Sequence, residues 1–574
     1  MNYVQTIDSL RKILAGVGST APVTIDCETT GLNHRTAGVR LIQLGIGPAP
    51  TEAIIIDLYK TGKGVLPVLA EFLNGRDIYG HNLTFDLTFL FQAGCRFDAV
   101  LYDTYIAGQV LTAGMFPPPA LDLGSMAQKY LNVTLPKDLQ KADWSGGLTP
   151  EMLAYAERDV LHIVALWQAL RSKMIMARVE KIVRLECDIG PAMADMRVHG
   201  VEVNRVAWEN AAIQYGLRKD ELFNELDRLA PQSPHCLPNM NDWKYSSPES
   251  IKALYSMWGI QLLSTDKLAM LSIDHGTNTQ AEEFTAAFQE WKSCATLVNN
   301  FGAAWLEQLS GTRVYPEWKQ LGTRTGRMSC AKPNLTQIPR NAAYRSCFVA
   351  SPGHVLIGAD YSQIELRVAA IIAPDMNMRA IYARGEDIHT LVASRITGNP
   401  HPTKLQRTLA KNINFGYLYG MGPETYMAQM LRNYRIRVSK EDAKAYQKEW
   451  FSMFPGIDRW HKTQNTTTTV RTLGGRLRYN VTNRQEKLNT PIQGTGGDGL
   501  KLALARLYRE KKVQLVITCH DELLVEVPAA DPETLDEYKR YVSRVMEEEM
   551  SILLQHKIPI EAEAKIMTSW ADKD

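Results

Sequence analysis

The sequence predicts a multidomain protein of mixed α/β and α+β class. Three observations carry that prediction. Short β-rich runs in the first sixty residues give way to helical periodicity. A second strand-rich module beyond residue 311 is split by about a hundred helical residues. The 574 residues suffice for about three to five structural units, each with its own core.

Taken in order, Val23–Cys27, Leu41–Ile46 and Ala53–Leu58 are apolar runs separated by Gly- and Pro-containing turns, a small strand meander. Helical patterns follow over Val65–Leu73, Leu83–Ala93 and Glu151–Leu170, so a sheet carrying helices is the expected first domain. One long helical stretch spans Arg171–Val198 and stops at His199-Gly200. The expected units are residues 1–180, 181–310, 311–374, 375–475 and 476–574. Residues 228–250 are rich in Pro, Ser and Asn and lie between helical segments Arg205–Leu229 and Pro248–Trp258. They predict an exposed loop at the mobile tip of a helical arm. His354–Ala359 is a strand delivering Asp360, residues 375–465 are mostly helical, and strands Val513–Cys519 and Leu523–Val527 flank His520-Asp521-Glu522.

Composition narrows the function classes. Hydrophobic residues at 45% and charged residues at 22% exclude disordered, collagenous and disulfide-scaffold chains. The net charge is only +2, but residues 1–180 carry 15 Lys and Arg against 17 Asp and Glu, while the rest carries 49 against 45. Any polyanion site must therefore come from local clusters. The opening residues show no apolar signal core. The longest uncharged stretch, Thr104–Leu121, contains three prolines, so no membrane span is expected. Eight cysteines are scattered without CxxC spacing. Reduced thiols, no zinc and a cytoplasmic location follow as expectations.

Two sets of carboxylates carry the chemistry. Asp26 and Glu28 are two apart at the end of a strand and share a face. Both stay ionised only if a cation lies between them; a solvated acidic strand end is the bland alternative. Asp86, in His81-Asn82-Leu83-Thr84-Phe85-Asp86, adds a carboxylate at a helix start. Tyr155 and Asp159 are four apart on one helical face. Together these segments resemble the three motifs of the proofreading 3′–5′ exonucleases. That resemblance implies an RNase H-like domain in which Asp26, Glu28, Asp86 and Asp159 hold two divalent metals and Tyr155 orients the attacking water. A packed aromatic is the alternative for Tyr155. Oxygen-only ligands suit Mg²⁺ or Mn²⁺.

The second set lies further along. Val355–Asp360 is an apolar strand ending on a carboxylate, followed by Tyr361-Ser362-Gln363-Ile364-Glu365. Arg407, Lys411, Phe415 and Tyr419 recur at i+4, two cations then two aromatics on one drifting helical face. With Cys519-His520-Asp521-Glu522 they resemble the three polymerase motifs of family A DNA polymerases, the family of bacterial DNA polymerase I. The resemblance covers essentially the whole chain as exonuclease, thumb, palm and fingers of a right-hand polymerase. It implies a phage- or organelle-type member without the separate 5′-nuclease domain of many bacterial ones.

The same resemblance implies roles for individual residues. Asp360, the Tyr361 carbonyl and Asp521 hold two Mg²⁺ (or Mn²⁺), with Glu522 in support. Arg407 and Lys411 meet the triphosphate, Phe415 and Tyr419 the sugar and base, and Lys411 can protonate pyrophosphate. His389 is a further phosphate contact, or a structural histidine. Glu365 lies under the ribose and excludes a 2′-hydroxyl, with Gln363 beside it. Arg327, Asn334, Gln337, Asn489, Gln493 and His520 fall in segments that contact primer–template DNA, where minor-groove acceptors are read without sequence preference. Gly416 and Gly420 permit backbone motion near closing fingers. Gly496-Gly497 stand where bacterial members usually carry alanines, a departure that loosens their helix.

The expected function is template-directed DNA synthesis with proofreading, serving replication and also repair. Its partners are primer–template DNA and deoxyribonucleoside triphosphates. The chain is expected to act as a monomer, with a processivity factor as an open addition, in a bacterial or phage-infected cell; an organelle is the alternative. A nuclease with a relic polymerase fold is opposed by Asp360, Lys411 and Asp521. A single-strand binder is opposed by both carboxylate sets, and an RNA polymerase by Glu365.

Overall fold

In the computed structural model, residues 1–136, 139, 142–234 and 241–573 are described. The first domain is built on a six-stranded sheet. Its strands are β1 (Asn2–Val4), β2 (Val23–Thr29), β3 (Val39–Ile46), β4 (Ala53–Asp57), β5 (Asp77–Gly80) and β6 (Val100–Asp103), ordered β1-β4-β3-β2-β5-β6. β2, β3 and β4 pair antiparallel in sequence order, which is the expected meander. β5 and β6 extend the sheet in parallel. β1, β5 and β6 have three or four residues each, too few to show a period. Leu58, read as strand, instead opens a short helix capped by the Asp57 carboxylate.

Helices α1 (Leu83–Ala93) and α2 (Pro150–Leu161) bring functional residues to this sheet. The Thr24 hydroxyl donates to the Val160 carbonyl (2.9 Å) and ties α2 to β2. A Cβ on Gly45 would lie 2.2 Å from that hydroxyl and 3.1 Å from the Val160 carbonyl. Only glycine admits so close a helix–sheet approach.

Two expected continuous helices are interrupted. Glu151–Leu170 breaks at His162 into α2 and Ile163–Ala177. Arg171–Val198 breaks at Arg178, which is left-handed (φ 55°) and donates its N–H to the carbonyls of Met174 and Ile175. The next helix, α3 (Glu180–His199), then starts on a new axis. Ile163–Ala177 packs chiefly on helices Thr104–Leu111 and Leu123–Leu131, whereas α3 packs on α1 and on a helix of the C-terminal half. The first half of α3 still shares the core of the first domain, and Ile189, Ala192, Met193 and Met196 enter the core of the C-terminal half.

Beyond α3 come the arm helices α4 (Arg205–Leu229) and α5 (Thr279–Phe301), which pack along each other around a small core with Phe284, Phe288 and Tyr255. On the described flanks of the predicted tip, Arg228, Gln232, Pro234, Asp242, Lys244 and Ser246 are exposed as expected, while Ser233 and Tyr245 are buried, the Trp243 indole donates to the Pro231 carbonyl (2.8 Å), and the Tyr245 hydroxyl donates to Asp227 (2.5 Å). Residues 235–240, including Cys236, lie outside the described residues. The other seven cysteines are buried and free.

The C-terminal half holds a four-stranded antiparallel sheet, β7 (His354–Tyr361), β8 (Gln514–Cys519), β9 (Glu522–Pro528) and β10 (Ala562–Met567), ordered β8-β9-β7-β10. Six helices between Met376 and Gln464 form the insertion, among them α6 (Lys404–Leu418), which opens with a Thr403–Gln406 capping box. Helix α7 (Arg484–Glu510) then packs against α3. Among the described residues, no helix is long and apolar enough to cross a membrane.

Candidate active sites of the two domains

The first site lies where β2 meets α1 and α2. Strand alternation turns Asp26 and Glu28 to one side while Cys27 is buried. Ligand oxygens of Asp26, Glu28 and Asp159 all lie within 4.8 Å of one another. Asp86, nearly fully buried, faces the same cavity of about 390 Å³, as do Tyr155, His81, Tyr105 and Asp122. Burial and neighbouring carboxylates push Asp26 up to about 8 and Glu28 up to about 9. Burial also raises Asp159, to about 6, and holds Asp86 well above the usual carboxylate range. The Tyr155 hydroxyl hydrogen-bonds Asp159. Among the described residues no Lys or Arg lines this cavity; carboxylates crowded in this way fit a divalent metal, and an all-oxygen set fits a hard one.

Sequence reasoning missed the residue that sets α1. Asp103, at the end of β6, accepts from the backbone N–H groups of Asn82 (2.9 Å), Leu83 (2.8 Å), Tyr105 (2.9 Å) and Ile106 (3.2 Å). It caps two helix starts at once and so aims Asp86 into the cavity. The strand-to-helix junction at Asp103-Thr104 was the available signal.

At the second site, Asp360 lies next to the end of β7, directly opposite Glu522 on β9 and Glu563 on β10. Asp521 occupies the β8–β9 turn beside His520, which is exposed and left-handed (φ 59°). Burial, with Glu365 and Asp360 nearby, raises Asp521 to about 6 against the opposing pull of Arg327. One guanidinium nitrogen of Arg327 reaches both Glu365 (2.8 Å) and Asp521 (2.9 Å). The Tyr419 hydroxyl donates to the other oxygen of Glu365, and Gln493 hydrogen-bonds Tyr419. Arg327, Glu365, Tyr419, Gln493 and Asp521 thus form one cluster drawn from five distant segments. Glu522 is buried and accepts from the Trp570 indole (3.1 Å). The Tyr361 side chain points into the core and donates to the Met546 carbonyl (2.9 Å).

Helix α6 presents the expected stripe. Arg407 and Lys411 are exposed and Phe415 and Tyr419 half-buried, while Ala410, Ile413, Asn414 and Tyr417 fill the core. Arg407 pairs with Asp387 (2.5 Å), which also takes the His389 backbone N–H (3.1 Å) and the Gln363 amide (3.4 Å). Sequence reasoning missed Asp387, which lies two residues before His389. His389 is buried, its Nδ1 2.8 Å from the Asn414 amide, and burial lowers it to about 4. Gly416 lies close against Met421, whose flexible methyl end a Cβ there would meet at 1.9 Å. Gly420, at φ 77°, does need glycine.

The remaining predicted DNA contacts are spread out. Asn334 caps a short helix, accepting from the Thr336 N–H (3.1 Å) and hydroxyl (2.6 Å), whereas Gln337 is exposed. Asn489 has a buried side-chain oxygen with no partner. Gly497 has a spatial reason that the sequence did not show, since a Cβ there would sit 3.1 Å from Arg327, whereas one on Gly496 would meet nothing nearer than the Asp521 carboxylate at 4.0 Å.

With this geometry in view, the fold and paired carboxylate sites define a template-copying nucleic-acid enzyme joined to a nuclease. Residues 241–572 match DNA polymerase family A and residues 1–175 a 3′–5′ exonuclease family, and the chain belongs to DNA polymerase family A with an N-terminal 3′–5′ exonuclease domain. Its two domains are those of template-directed DNA synthesis with proofreading. Similar curated proteins include DNA polymerase I of Aquifex aeolicus, 29% identical and covering 99% of both chains. DNA polymerase I of Rhizobium leguminosarum is 26% identical, and the match spans 99% of this chain but 60% of that protein. The thermostable DNA polymerase I of Thermus aquaticus is 34% identical over 45% of this chain and 32% of its own length. The fold is shared with the POL domain of Pol1 from M. smegmatis, solved in complex with DNA primer-template and dNTP. That likeness has a TM-score of 0.77 at 20% identity and covers 100% of this chain and 99% of that one.

Proposed function

We propose that polymerisation and proofreading run at two separate divalent-metal sites, with Asp360 and Asp521 serving the first and Asp26, Glu28, Asp86 and Asp159 the second. The observation that carries this reading is the pair of carboxylate clusters, one in each domain, built from different elements. Bound Mg²⁺ or Mn²⁺ would supply Lewis acidity, lowering the pKa of an attacking oxygen and neutralising the leaving group. The protein's own residues do the rest. Tyr155, anchored on Asp159, orients the attacking water at the proofreading site. Arg407 and Lys411 draw the triphosphate to one face of α6, and Lys411 is placed to give pyrophosphate a proton. Phe415 and Tyr419 hold the sugar and base, and Glu365 walls off the 2′ position. Arg327, Gln493, Asn489, Asn334, Gln337 and His520 bind the primer–template. For Asn489 the support is its unpartnered buried acceptor.

In this reading His389 reaches phosphate only through movement of the fingers helices. The Tyr361 carbonyl completes a metal shell and Glu522 supports it from β9. We further read the enzyme as a cytoplasmic monomer of a bacterial or phage-infected cell acting in replication and repair; seven buried free cysteines suit a reducing compartment. A processivity partner is compatible with this role.

The test follows an end-labelled, mismatched primer over time with and without nucleotides. Asp26→Ala should stop trimming yet extend a matched primer, and Asp360→Ala should do the reverse. Trimming by Asp26→Ala, or extension by Asp360→Ala, would remove that site from the assignment.

A further inference from the structure

Away from both carboxylate sites the chain buries four charges against one another. Glu186, Asp498 and Lys501 are 0% exposed and Arg476 is 5% exposed. Arg476 bonds Asp498 through two nitrogens (3.0 and 2.6 Å) and also bonds Glu186, while the Lys501 ammonium bonds Glu186. Two anions and two cations cancel. Paired burial of this kind adds little stability over an apolar cluster of the same volume, and its best-attested use is to fix one arrangement.

The arrangement it holds is visible in its other contacts. Lys501 Nζ donates to the Gly326 carbonyl (2.7 Å). Gly326 is at φ 88°, and a Cβ on it would meet Arg476 Cδ at 2.4 Å, so the loop lies directly on the cluster. The next residue is Arg327, whose guanidinium spans Glu365 and Asp521. On the far side, the Gln320 amide donates to the Glu186 carbonyl (2.6 Å), and its oxygen accepts from the Thr84 hydroxyl (3.2 Å). Thr84 lies on α1, two residues before Asp86.

We propose that Glu186, Arg476, Asp498 and Lys501 are positioning residues that hold Arg327 at the primer terminus and fix it relative to the exonuclease helix bearing Asp86. None of the four touches substrate. They act by pinning the Gly326 carbonyl and the backbone turn behind the arginine. The inference rests on the proposed binding of primer–template by Arg327, whose contacts with Glu365 and Asp521 put it beside the polymerase carboxylates, where the primer end reacts.

A double-mutant cycle on the full-length enzyme tests it, with single-turnover addition to matched and mismatched primer ends measured per active site by burst amplitude. Lys501→Met, which keeps length but cannot donate, should slow matched addition by about tenfold or more and narrow the gap between matched and mismatched ends. Degradation of single-stranded DNA should stay within about twofold, since contacts on the reacting end there are untouched. Adding Lys501→Met to Arg327→Ala should cost no more than about two- to threefold, because a misplaced loop matters only when the arginine is present. Parental rates in Lys501→Met, or an equal slowing on both backgrounds, would overturn the positioning role. If Arg327→Ala alone costs nothing, the assignment of Arg327 to the primer end fails, which is a different result. Should Lys501→Met not accumulate as folded protein, Glu186→Gln, which preserves shape and removes charge, is put through the same cycle with the same criteria.

Discussion

Glu365 is held on both carboxylate oxygens, by Arg327 on one side and the Tyr419 hydroxyl on the other. A wall under the sugar works only if it does not swing away, and two bonds from separate elements keep it still. Glu365→Ala removes the wall and also releases both partners. We therefore expect discrimination against ribonucleotides to fall by about 10–100-fold, together with a slower addition of deoxyribonucleotides. Competition between the two nucleotide types on one primed template measures this, and unchanged selectivity would take Glu365 out of the sugar pocket. Tyr155 plays a lesser part at the other site. Its hydroxyl binds Asp159 but completes no ligand set, so Tyr155→Phe should slow exonuclease action by about tenfold, the worth of one hydrogen bond of about 1–1.5 kcal/mol. A loss as complete as that of Asp26→Ala would argue that Tyr155 does more than orient.

At the scale of elements, α7 concentrates competing demands. It carries Asn489 and Gln493 towards the polymerase site, Asp498 and Lys501 towards the buried ion cluster, and four glycines between Gln493 and Leu500. Glycine in a helix interior costs about 1 kcal/mol relative to alanine, so each needs a reason. Gly494 has one, since a Cβ there would meet the Thr325 carbonyl at 2.7 Å, whereas one on Gly499 would meet only the flexible end of the Met550 side chain, at 2.1 Å. Gly497 sits 3.1 Å from Arg327 on the same measure, and Gly496 meets nothing nearer than 4.0 Å. Gly496→Ala should accordingly raise stability by about 0.5–1 kcal/mol and leave nucleotide addition near the parental rate. Gly497→Ala should instead displace the arginine and slow addition. Thermal midpoints and single-turnover rates of the two variants read this out, and equal behaviour would show that Arg327 does not lean on α7.

At the scale of the whole molecule, the proofreading carboxylate cage ties stability to pH. Asp26 and Glu28 are raised from the ordinary carboxylate range to about 8 and about 9, first by burial and then by repulsion, from Asp159 on Asp26 and from Asp26 and Asp159 on Glu28. A carboxyl whose pKa is higher in the folded than in the unfolded state stabilises the fold while protonated. That contribution is complete below about pH 4 and is lost as the pH rises through 8 and 9. Chelator-treated enzyme should therefore lose stability between about pH 5 and pH 9, and Mg²⁺, which supplies the missing counter-charge, should restore more of it at pH 9 than at pH 6. Melting curves with chelator and with Mg²⁺ at the two pH values test this. A Mg²⁺ increment that is flat or shrinks with pH would mean that these carboxylates are not the metal ligands.

Much of both sites was legible before folding, because it depends on short-range periodicity. Asp26 and Glu28 share a face since strands repeat every two residues, and Arg407, Lys411, Phe415 and Tyr419 line up since helices repeat near four. The three meander strands and the strand leading to Asp360 follow from the same rule. The break at Arg178 was not legible, because apolar residues keep helical spacing on both sides of it, and Met174, Val179 and Ile182 all join one core. Nor were the strands of three and four residues, which show no period. What only the tertiary structure decided is which distant charges meet. Arg327 and Asp521 are 194 residues apart, Thr84 and Gln320 are 236 apart, and Glu186 and Lys501 are 315 apart. The last pairing depends on how α3 and α7 dock, and docking is a sum of many weak contacts with no local signature. Residue type and spacing thus determined what chemistry each segment can do, and packing determined which segments do it together.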